Sequence, residues 1–133
     1  MNILIDENLS PALARALNEL FKGEHRIVHL REKFGPSAKD VEWIEALSRE
    51  GRWLVISADR RITRNKAEYH AFRNSKLIGF FMSKGLYKSK LTKQAERLPA
   101  LWDAMIDLAM RVEGGAMFEL PVKSTTRFPQ LKV

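Results

Sequence analysis

Four apolar runs, each too short for a helix and none of them alternating, restrict the fold more than any other feature of this chain. Ile3-Leu4-Ile5, Ile27-Val28 within a second strand read over residues 26–30, Trp53-Leu54-Val55-Ile56 and the segment 77–82 place apolar residues on consecutive positions. A strand wet on one face alternates apolar with polar. An unbroken run belongs to a strand buried on both faces, as in a parallel sheet covered by helices. The stretches between the runs are amphipathic. Ser10 is placed as an N-cap and Pro11 as the first helical residue, where a missing N–H is harmless. Leu13, Ala14, Leu17, Leu20 and Phe21 then repeat at helical spacing as far as Gly23. Ser37-Ala38-Lys39-Asp40 reads as a capping box for a second helix, with Val41, Ile44 and Leu47 inward and Gly51 as its stop.

Further on, Asn65 and Glu68 form another capping pair for a short helix through Arg73. Residues 92–112 make a long amphipathic helix with Leu98, Leu101, Trp102, Met105, Ile106 and Ala109 inward, and Pro99 is expected to kink or divide it. Gly114-Gly115 turns the chain into a fifth strand, 117–122, while 31–38 and 83–90 read as loops. Successive strand–helix–strand units imply parallel strands joined by right-handed crossovers. The expectation is one α/β domain over residues 1–133, with its core in 1–122 and a tail, 123–133, that shows no pattern.

At 133 residues there is room for a single core, and 45% hydrophobic with 29% charged residues excludes wholesale disorder. Cysteine is absent, which excludes disulfides and thiolate metal sites and fits a reducing cytoplasm. His25, His29 and His70 are not spaced as a zinc set. No apolar run approaches the ~20 residues of a membrane helix, and the N-terminus lacks the layout of a signal peptide. A cytoplasmic protein is expected. Charge is unevenly placed: residues 1–59 carry 8 Lys/Arg against 10 Asp/Glu, and residues 60–97 carry 11 against 2. Such a split fits either a polyanion held near a carboxylate site or a solubilising surface.

The carboxylates have a common address. In an open parallel sheet, ligands bind outside the carboxyl ends of the strands. Asp6 and Glu7 follow the first strand, Asp59 follows the third, and Asp40 lies in the first turn of the helix between the second and third. Each has a structural alternative. Asp40 complements a helix dipole by roughly 0.3–1 kcal/mol, Asp59 caps a turn, and Asp6 accepts from the loop after it. Together at one rim they point to a hard divalent cation, Mg²⁺ or Mn²⁺ rather than zinc, because all the donors are oxygen. A metal beside a basic segment implies phosphodiester hydrolysis, with Arg60, Arg61, Arg64 and Lys66 holding phosphates.

The opening L-I-D-E-N-L-S-P, the D-V-E-W-I helix and the I-S-A-D-R-R-I-T-R-N segment resemble PIN-like domains of bacterial toxin–antitoxin modules. The likeness is to the VapC-type ribonuclease group, and within it to the DUF5615-type domains, over residues 1–85 and more loosely the long helix beyond. The resemblance implies a three-layer sandwich around a mainly parallel sheet of about five strands. It further implies Mg²⁺ or Mn²⁺ and three or four acids that cut single-stranded RNA. Asp6 matches the first PIN aspartate, Asp40 the one opening the helix before the third strand, and Asp59, with Ser57, the T/S-x-D motif. The second PIN acid has no clear match, with Glu7 and Glu42 as substitutes. Arg61 stands where many relatives carry an acid. A cognate antitoxin covering the acidic rim is also implied. A homodimer is a further expectation, with Trp102 and Met105 on the long helix serving either as its contact or as core. Two other functions compete. One is an RNA- or partner-binding protein that keeps the fold without cutting. The other is a receiver domain using Asp59 and Ser83, against which stands the lack of a lysine followed by proline after the fifth strand.

Overall fold

A computed structural model of the chain describes residues 1–123 and 127–131, and Arg61 by its backbone only. Five strands, β1 (Asn2–Ile5), β2 (Arg26–His29), β3 (Trp53–Ser57), β4 (Ile78–Met82) and β5 (Met117–Leu120), form one sheet in the order β2-β1-β3-β4-β5. Every neighbouring pair is parallel. Among the described residues the helices are α1 (Pro11–Leu20), α2 (Leu30–Phe34), α3 (Asp40–Glu50), α4 (Arg61–Arg64), α5 (Lys66–Arg73), α6 (Lys84–Tyr87) and α7 (Leu91–Arg111). All five residues of β3 and all five of β4 are buried, which is why their sequences do not alternate.

The two faces carry separate cores. Ile3, Ile5, Leu54, Ile56, Phe80 and Phe118 pack against α1 and α7. Leu4, Trp53, Val55, Phe81 and Met117 pack against α3, α4 and α5. Strand order and helix faces together determine the relative hand of the crossovers. The three connections from β1 to β4 share one hand, whereas β4–α7–β5 returns over the face of α1 and has the opposite hand. This departs from the uniformly right-handed expectation. Burial accounts for it: α1 alone leaves Leu54, Ile78, Phe80 and Leu120 uncovered, and Leu98, Leu101, Trp102 and Met105 of α7 close over that surface.

Several local expectations are corrected. Lys39, not Ser37, is the N-cap of α3 and makes no side-chain cap bond, so the capping box does not form. The Asp40 carboxylate instead accepts from the buried Trp43 indole. The supposed loop 31–38 contains α2, which starts when His29 Nδ1 accepts from Arg31 N (3.1 Å) and ends at Gly35. In the loop 83–90, Ser83 Oγ accepts from Leu86 N (3.2 Å) and opens α6. Pro99 does not divide α7, which runs through it as one element because Leu98 and Leu101 on either side are buried. Trp102 and Met105 are buried in their own core, so they are not available as a dimer contact.

Part of the tail has a structural role. Glu119 N donates to Pro129 O and Leu131 N to Met117 O, both at 2.8 Å, while Phe128 packs on Phe80. The segment thus covers the outer edge of β5, protecting an otherwise open strand. The rest of the tail, 124–126 and 132–133, lies outside the described residues.

The turn into β5 depends on Gly115, which has φ of +91° and whose added Cβ would lie 2.2 Å from Arg73 O. Gly115→Ala is expected to lose about 2–5 kcal/mol, combining a left-handed backbone with overpacking. Gly23→Ala, at φ +90° with nothing within 4 Å, should lose only about 1–2 kcal/mol. Urea denaturation of both variants checks the difference.

Candidate active site

Register brings the first two groups of the site together. Ile5 pairs with Ile56 and Asp6 N donates to Ile56 O (2.9 Å), so Asp6 lies beside Ser57. The chain leaves β1 for β2 on one side and returns to β3 on the other. The β1–β3 seam is therefore the point where strand order reverses, the usual ligand crevice in such sheets. Asp6 Oδ2 accepts from Ser57 Oγ and its Oδ1 accepts from Glu7 N, both at 2.7 Å. Ser57 Oγ in turn accepts from Asp59 N (3.0 Å), so one fully buried hydroxyl holds both loops in place.

Asp6 is only 6% exposed. Burial pushes its carboxyl above the ordinary 3.8; the bonds from Ser57 and from Glu7 N–H pull the other way, and the charges of Asp40 and Asp59 push it further up. The three aspartates thus share one electrostatic neighbourhood, delivered by three separate strand-to-helix junctions. Asp40, half-buried at the first position of α3, is held by Trp43 Nε1 (2.9 Å).

The remaining acids are placed differently. Glu7 is exposed and pairs with Arg31 (3.1 Å). Glu42 borders a cleft with Phe34, Pro36 and Trp43 and is not among the charges acting on Asp6. Glu119, passed over in the sequence, sits on the sheet face of Ser57, in one row with Phe81 and Ser57. Its mark was a charge at an inward position of an otherwise apolar strand.

Among the described residues, no three Asp, Glu or His side chains are drawn together as a metal-binding set. Asp40 and Asp59 both act on Asp6, but Asp6 and Asp40 are each turned to protein donors. Their chemistry, hard anionic oxygens under mutual repulsion, still fits Mg²⁺ or Mn²⁺. Of the cations expected to hold phosphates, Arg60 is engaged by Glu119, Arg64 and Lys66 are exposed, and the side chain of Arg61 lies outside the described residues. The clefts beside α5 and beside α2 include none of the three aspartates.

The raised Asp6 carboxyl gives a pH dependence. Between 3.8 and its raised value the folded chain holds a proton that the unfolded chain has lost, so stability falls as pH climbs through that window. Asp6→Asn removes this effect. Thermal melts in chelator should show the variant gaining on the wild type as pH rises from 3.8 through the raised value, and added Mn²⁺ should narrow the gap by binding the wild type.

No curated protein and no solved structure matches the chain. The family model described as PIN like domain matches residues 1–84, the part that carries β1 to β4 with Asp6, Asp40, Ser57 and Asp59. With more than half of the 133 residues matched, the chain belongs to the PIN-like domain family.

Proposed function

We propose that this protein is a metal-dependent endoribonuclease that hydrolyses phosphodiester bonds of RNA. PIN-like domains are generally nucleases, and the observation that carries the proposal here is the electrostatic coupling of Asp40 and Asp59 to the buried Asp6. Asp6, Asp40 and Asp59 would hold Mg²⁺ or Mn²⁺, which when bound supplies an acidified water and neutralises charge gathering at phosphorus. Asp6 is the fixed member, since Ser57 and Glu7 N–H set its orientation. Ser57 positions Asp59 through the backbone N–H. Arg64 and Lys66 are exposed near the start of α5 and suit the flanking phosphates. In this proposal the protein is a cytoplasmic toxin of the VapC-type group. Its cognate antitoxin covers the acidic rim with a basic side chain.

A second function is favoured by a specific observation. Glu7 is paired with Arg31 and Glu119 with Arg60, so two acids near the rim are already neutralised. That arrangement suits a protein that grips RNA or a partner without cutting it.

One assay separates the two: cleavage of a mixed single-stranded RNA pool in Mn²⁺ by the wild type, Asp59→Asn and Ser57→Ala. Asp59→Asn should lose about 10²–10³ in rate, the scale of losing one electrostatic stabiliser of developing charge, here the metal that Asp59 would help to hold. Ser57→Ala should lose about 10–100-fold, as when the support of a metal-bearing carboxylate is removed. Equal cleavage by all three would sink the nuclease proposal, and RNA binding without metal-dependent cleavage would establish the second.

A further inference from the structure

Beyond the aspartates, along the same sheet edge, Ala58, Arg60, Arg64, Met82, Lys84, Tyr87 and Glu119 line a cavity of about 290 Å³. It opens where β3 and β4 end, and Ala58 is the residue between Ser57 and Asp59, so it adjoins the carboxylate rim. Its size lies just below that of clefts that take drug-sized molecules, roughly 300–1,000 Å³, and suits one nucleotide rather than several. Three cations and one carboxylate border it, and the carboxylate, Glu119, is already bonded to Arg60. Arg64 and Lys84 make no ion pair among the described residues. The wall is therefore positive toward an incoming group.

The aromatic member is held rather than loose. Tyr87 is 45% exposed, but its backbone is fixed on three sides. Its N–H donates to Ser83 O (2.9 Å), its carbonyl accepts from Gln94 Nε2 (3.1 Å), and the preceding Leu86 is fully buried. An exposed aromatic residue on an anchored backbone, lining one cavity with Arg64, Lys84, Ala58 and Met82, meets the requirements of a base-stacking platform. The ring takes the base, and the cations take the phosphate.

We propose that this cavity binds one nucleotide of single-stranded RNA next to the cleaved phosphate, with its base stacked on Tyr87 and its phosphate between Arg64 and Lys84. The proposal rests on the ribonuclease function for its substrate. Tyr87 binds and positions; it takes no part in the chemistry.

The test is binding of a labelled single-stranded RNA oligonucleotide by fluorescence anisotropy, in chelator so that nothing is cut. Tyr87→Ala should weaken binding roughly 5- to 150-fold, the range spanned by base–aromatic stacking, and Tyr87→Phe should bind as the wild type does. Lys84→Ala should lower the slope of log affinity against log salt by about 0.7, one single-strand phosphate contact. Wild-type affinity in Tyr87→Ala overturns the proposal. So does a Tyr87→Phe variant as weak as Tyr87→Ala, since the hydroxyl rather than the ring face would then be responsible. Melting curves confirm that the variants fold. Asp59→Asn, assayed for cleavage in Mn²⁺, keeps the two proposals apart. If it cuts as well as the wild type while Tyr87→Ala loses binding, the aspartate site falls and the cavity stands as an RNA-binding site. If only Asp59→Asn loses function, the cavity falls alone.

Discussion

A carboxyl group buried at the seam of β1 and β3 is the constraint that organises this protein. An ionised group taken out of water is tolerated only where hydrogen bonds replace its hydration. For Asp6 those bonds come from Ser57 Oγ and Glu7 N–H, both at 2.7 Å. Each demands something of the chain. Ser57 must be a hydroxyl residue at the last position of β3, and β3 must lie next to β1 in the observed register. Glu7 N–H must turn inward, which Leu9 N donating to Asp6 O helps enforce. His29 secures the far side of this loop. Its Nδ1 accepts from Arg31 N, so its Nε2 carries the hydrogen and donates to Leu9 O at 2.8 Å. Asp6 is thus fixed by contacts from β2, β3 and its own loop.

This fixity depends on a sheet that cannot slide. β1 and β3 are the buried centre, and both faces must be covered for their apolar runs to be stable. The face of α3 and α5 is covered by consecutive crossovers of one hand. The opposite face has only α1 until α7 arrives from the β4 side, against the usual crossover preference. The C-terminal end of α7 is then tied down by Arg52, which donates to the carbonyls of Ala109 and Val112. Arg52 immediately precedes β3, so the anchor of α7 and the strand bearing Ser57 belong to one segment.

The strands and the long helices were legible because their signals are local: unbroken apolar runs and repeats at helical spacing. Asp6, Asp40 and Asp59 were legible for a related reason, since parallel topology sends every strand-to-helix junction to one edge. The short helices were not. α2, α4 and α6 span five, four and four residues, too few to repeat a pattern. α2 and α6 are opened by caps, His29 at the end of β2 and Ser83 after β4, whose side-chain bonds leave no pattern in the sequence. The pairing of Arg60 with Glu119 lies across the sheet and required the strand order. The indole bond that draws Asp40 away from a capping role depends on Trp43 being buried, a property of the fold rather than of the residue. The edge cover by 128–131 has no periodicity at all, because its bonds are made by backbone.

Charge along the rim follows from this geometry. Arg31 stands after β2, Asp6 after β1, Asp59 after β3, Lys84 after β4, and Glu119 with its partner Arg60 at β5. At roughly 4.8 Å per strand the row spans about 19 Å. Its centre is acidic, and cations stand on both sides. Arg31 and Arg60 are each paired with a glutamate, so under the proposed function a polyanion would meet the carboxylates of Asp6 and Asp40 at the centre and Lys84 on the β4 side. A divalent cation held by the aspartates would offset the repulsion at the centre. In the proposed function, polyanion binding at the centre would depend on a cation, and binding on the β4 side, around Lys84 and Tyr87, would not.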